Sequence, residues 1–93
     1  MRKIVVLNPE EIAALDEQDP ATAGDGGFQR FIVRLQQELR RASQELILPD
    51  ADQEAIAHYA FDYKQGGWQN RLIRIFGREL GPRLGRPEPP QDS

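Results

Sequence analysis

His58 and Asp62 stand four residues apart, and on a helix that spacing places an imidazole and a carboxylate on one face. A carboxylate bonded to one ring nitrogen would orient the other for proton abstraction. The same spacing also suits an ordinary solvated surface pair. Neither Ser43 nor Ser93 stands at a recognisable distance from the histidine, so His58, Asp62 and the nearby Tyr59 are the whole acid/base material and no residue is assigned a catalytic role. Arg71, Arg74 and Arg78 recur at helical spacing, with Arg83 and Arg86 after them. Such a stripe suits a phosphate backbone. Two glycine pairs, Gly26-Gly27 and Gly66-Gly67, each open an amphipathic run. The free amides of a glycine-opened helix can hold phosphate or carboxylate. With arginines close by in sequence, Gly26, Gly27, Gly66, Gly67, Arg34 and Arg74 make up a candidate anion site. No GxGxxG or GxxxxGK[ST] pattern supports it further. Tyr59, Phe61, Tyr63 and Trp68, interleaved with Lys64 and Arg71, have the composition of a base-stacking platform, but their helical spacing fits a core better. With no cysteine and one histidine in 93 residues, thiolate chemistry is excluded and neither a metal nor a cofactor is expected.

These residues need elements to position them. Ile4 to Leu7 is β-branched and apolar and predicts a short buried strand. Asn8 is a helix cap, Pro9 suits the first helical position, and Glu10 and Glu11 favour the positive end of the helix dipole. Ile12 and Leu15 share a face, and the helix is expected to end near Asp19, ahead of Pro20. "PATAGDGG" is turn chemistry. Phe28, Phe31, Ile32, Leu35 and Leu39 then keep a helical period, with Arg30, Arg34, Gln37 and Arg41 opposite. Leu46 to Leu48 reads as a second strand. Asp50 and Gln53 have the spacing of a capping box, opening a helix that buries Ile56, Tyr59, Ala60 and Tyr63. "KQGG" ends it, and a last helix turns Trp68, Leu72, Ile75, Phe76 and Leu80 inward; Gly77 inside it suggests close helix packing or early fraying.

"GGFQRFIVRL" at 26–35 is echoed by "GGWQNRLIRI" at 66–75, so the order strand, helix, helix occurs twice. The expectation is an α+β, mostly helical fold, βααβαα, with two short strands packed under four helices. Residues 1–80 would form one globular domain with pseudo-repeats at about 4–40 and 46–80, a possible internal duplication, and residues 81–93 a flexible Pro/Gly-rich tail. Two strands alone are marginal, so they should pair with each other or with a second copy.

The apolar N-terminal run is too short for a signal-peptide core, and no stretch approaches a membrane span, so a cytoplasmic protein is expected. The net charge is −3, with acidic residues crowding the first two-thirds and arginines the segment 64–87. At "GDGGFQRFIVRLQ" and "YAFDYKQGGWQNRLIRIFGRELGPRLG" the chain resembles a group of small bacterial proteins carried in mobile gene cassettes such as those of integrons. The likeness runs over most of the chain up to Leu84 and implies no functional residues. Some of that group carry a transfer-RNA synthetase label, which a chain this short without an ATP-binding signature does not support. The poverty of motifs favours a small non-enzymatic binding or adaptor protein acting through a protein partner or a homodimer. A nucleic-acid-associated regulator using Arg71, Arg74 and Arg78, and a small anionic-ligand binder at the glycine pairs, are the alternatives.

Overall fold

The computed structural model describes residues 1–86. Its order is β1 (Lys3–Val6), α1 (Pro9–Leu15), a 3-10 turn (Pro20–Gly24), α2 (Gly27–Glu38), β2 (Glu45–Leu48), α3 (Asp50–Phe61) and α4 (Gly66–Leu80). This is a small, mostly helical α+β fold. The strands pair antiparallel, Ile4 opposite Ile47 and Val5 opposite Leu46. Alternation along a strand sends neighbours to opposite faces, and Val5, Leu46 and Leu48 are fully buried beneath the helices. The other face is open, with Ile4 57% and Val6 46% exposed. The strand expected to be buried is therefore buried on one side only, because two strands cover one side of four helices and none of the described residues covers the other.

Phe28, Ile32 and Leu35 of α2, Ile56 and Ala60 of α3, and Leu72, Ile75 and Phe76 of α4 meet Leu7, Leu15 and the inner strand residues in one apolar cluster. The period of 3.6 read from these segments is the period that packs them.

Several local expectations shift. α1 ends at Leu15, not near Asp19: the Gln36 side-chain amide donates to the carbonyls of Leu15 (2.9 Å) and Gln18 (2.8 Å), while Asp19 caps the 3-10 turn by accepting from the Ala21 amide. Asn8 does cap α1, and Glu11 completes a capping box with it, each side chain accepting from the other's amide. The box expected at Asp50 does not form. Pro49 is the N-cap, the Asp50 carboxylate takes the Met1 ammonium, and the Gln53 amide donates to the Leu48 and Met1 carbonyls at 2.8 Å. Strand ends compete successfully for both side chains. Tyr63, expected inside, is 48% exposed, because α3 ends at Phe61 before its register can carry the ring inward. The globular body also runs past Leu80: Leu84 is 1% exposed and belongs to the core cluster. Of the tail expected to be flexible, residues 81–86 pack against the body and 87–93 lie outside the described residues.

Candidate functional site

The two glycine-pair helix starts lie side by side. Phe28, one residue into α2, lies flat on Trp68 near the head of α4, ring centroids 4.5 Å apart and planes 9° apart. Tyr59 of α3 meets Phe28 edge-on at 5.7 Å, and Tyr63 stacks on Tyr59 at 5.4 Å. The aromatics matched by the sequence echo are thus each other's packing partners. Stacking within this cluster uses ring faces that a nucleobase would need.

The glycines serve different ends. A Cβ on Gly27 would fall 2.8 Å from the Tyr59 hydroxyl, whereas Gly66 and Gly67 face open space. Neither pair lies in the left-handed region. Gly26 has extended backbone at φ 172, and the left-handed residue before α4 is Lys64, at φ 55. Gln65 caps α4 without a side-chain bond, as Gly26 does α2.

Arg34, Arg71, Arg74 and Arg78 are each hydrogen-bonded within the chain, whereas the buried Arg83 Nε has no hydrogen-bond partner among the described residues. Arg71 donates to the Gln18 side-chain Oε1 at 2.8 Å and lies over the Phe28 ring at 5.5 Å. Arg74 meets Glu17 at 2.7 Å. Arg78 donates to Glu11 and to the Val6 carbonyl, both at 2.7 Å. The three form a polar seam that joins α4 to α1 and to the segment after it. Arg34 forks onto Asp52 at 2.7 and 3.1 Å and also reaches Glu38 at 3.1 Å. The bonds it donates to Asp52 push the Arg34 pKa further above its ordinary value. Arg34 and Arg74, each two turns into its helix, are matched by carboxylates.

His58 Nδ1 lies 2.8 Å from Asp62 Oδ2, the side chains 52% and 40% exposed. Arg86 donates to both Asp62 oxygens at 2.8 and 2.9 Å. These Arg86 bonds first, and the His58 bond second, hold the Asp62 carboxyl well below the usual carboxylate range. An open groove lined by Ala51, Glu54, Ala55, His58 and Arg86 adjoins a second of about 320 Å³ lined by Asp50, Gln53, Glu54, Ala57, Gly85 and Arg86. No hydroxyl nucleophile lines either, and Ser43 donates to Glu45 instead. The dyad's chemistry is that of a tether: it ties the turn after α4 to the end of α3. Among the described residues no group of three or more His, Asp or Glu side chains could hold a metal ion, and no helix is long and apolar enough to cross a membrane.

Sequence reasoning missed the buried polar residues Glu11, Gln18, Gln36 and Asp52. Glu11 was findable from its place three after Asn8. The others were not: Gln36 and Asp52 meet partners at least eighteen residues away, and Gln18, besides its neighbour Thr22, meets Arg71.

Protein-family models, curated proteins and solved structures contain no match to this chain. The site must accordingly be judged on its own geometry.

Proposed function

We propose that this chain is a small non-enzymatic binding protein of the cytoplasm, working through a protein contact on the open face of its sheet. The observation that carries the reading is the exposure of Ile4 and Val6 there, at 57% and 46%, in a chain whose Arg34, Arg71, Arg74 and Arg78 are bonded internally and whose His58–Asp62 pair has no hydroxyl in the grooves beside it among the described residues. An exposed apolar patch on an otherwise polar surface is the usual mark of a protein contact. The resemblance to cassette-borne bacterial proteins, a group without defined chemistry, accords with it.

The test is affinity capture with the tagged chain from lysate, with and without nuclease, run in parallel with Ile4→Thr. Capture of a defined protein that survives nuclease and is lost in the variant is expected. Recovery abolished by nuclease would transfer the function to nucleic-acid binding.

A further inference from the structure

We propose that the chain is built as two equivalent strand-helix-helix units, packed against each other as an internal dimer about a pseudo-twofold axis. The proposal is independent of the binding reading above. In the sheet, Val5 lies opposite Leu46, Ile4 opposite Ile47, Val6 opposite Glu45 and Lys3 opposite Leu48. One step further, the Leu7 amide donates to the Gln44 carbonyl at 2.9 Å. Matching each β1 residue to the one forty-one further on turns every one of these pairs into another of them, with Val5 and Leu46 exchanging places. That is the reciprocity of an isologous contact.

Any antiparallel pair has a local twofold; here the same equivalence extends beyond the sheet. The step of forty-one carries Asn8, the cap of α1, to Pro49, the cap of α3. It carries the buried carboxylate Glu11 to the buried carboxylate Asp52, and Leu15 to Ile56, both fully buried. Gln44, left-handed at φ 63 ahead of β2, goes to Gly85, left-handed at φ 85 after α4. In α2 and α4 the step is forty, because the segment between α1 and α2 holds one extra residue. Ile32 and Leu35 then go to Leu72 and Ile75, all four fully buried. The units differ where α1 stops at Leu15 and a 3-10 turn takes over, while α3 runs on to Phe61.

Contacts between the units repeat across the same axis. Phe28 stacks on Trp68, its own counterpart, as equivalent residues do where the axis passes between them. Phe31 of α2 meets Tyr59 of α3, ring centroids 5.6 Å apart. Their counterparts, Arg71 of α4 and Gln18, meet through a hydrogen bond at 2.8 Å. One contact is aromatic and the other polar, at the same place in the two units. The buried carboxylates are also held across the units, Asp52 by Arg34 and Glu11 by Arg78. Arg78 stands one turn beyond Arg74, the counterpart of Arg34, because Arg74 pairs with Glu17.

Exchange across the axis tests this in the full chain. Val5→Leu and Leu46→Val each lower the urea midpoint, the first by overpacking and the second by a cavity. Together they restore the same pair with its members transposed. The double variant is therefore expected to recover most of the loss, with the circular dichroism spectrum kept. Val5→Leu with Leu48→Val conserves volume on the same buried face without transposing counterparts, and is expected to stay near the sum of its single losses. Equal recovery in the two doubles, or none in the first, would overturn the inference. Where a variant fails to fold, circular permutants decide. One opened between Ala42 and Ser43, between the units, is expected to keep its midpoint closer to the parent than one opened between Lys64 and Gln65, inside the second unit; the reverse order overturns the inference equally.

Discussion

At the scale of single residues, the two glycine pairs make opposite predictions. Gly27→Ala would drive a Cβ to 2.8 Å from the Tyr59 hydroxyl, and that ring is held by its contacts with Phe28, Tyr63 and Trp68. A loss of about 1–2 kcal/mol in urea unfolding is expected, relieved by adding Tyr59→Phe. Gly67→Ala has open space inside a helix and should gain about 0.5–1 kcal/mol. Asp62 gives the acid-side expectation. Its folded pKa is depressed, first by Arg86 and then by His58, so its contribution is full above the unfolded value near 3.8 and drains as pH falls through the lower folded value. Melting temperature should therefore fall below about pH 4, and Asp62→Asn should fall less steeply there while starting lower at neutral pH.

At the scale of elements, the arginine stripe on α4 is a ladder of unequal rungs. Arg74 meets Glu17 on the surface, where both side chains are about half exposed, and Arg74→Ala should leave the urea unfolding midpoint nearly unchanged. Arg78 meets a Glu11 side chain only 7% exposed and also bonds the Val6 carbonyl. Arg78→Ala strands a buried carboxylate and a strand edge together, so it should lower the urea midpoint more than Arg74→Ala does. The pattern of arginines was legible from spacing; their employment was not, because Glu11, Glu17 and Gln18 are far away in sequence. The same clamp bears on Gly77. α4 continues through Leu80 without fraying there, since Arg78 and Glu79 hold β1 from the turn that follows.

At the scale of the whole molecule, the body closes with the turn after α4. Leu84 is buried at φ 54, and Arg86 fastens the turn to Asp62. Leu84→Ala should cost about 2–3 kcal/mol, read as a lowered urea midpoint, because the cavity would open in the shared core. The sequence by itself determined the element types, their order and the apolar faces of α2 and α4, since these follow from periodicity and caps, which act over a few residues. Only the tertiary structure decided where α1 stops, that Asp50 serves the N-terminus in place of a capping box, that Phe28 and Trp68 stack, and that the arginines close a seam. Each of these turns on a partner brought near by folding. Local propensity carries no information about such a partner, whereas burial makes an unpaired carbonyl or carboxylate so costly that the fold supplies one.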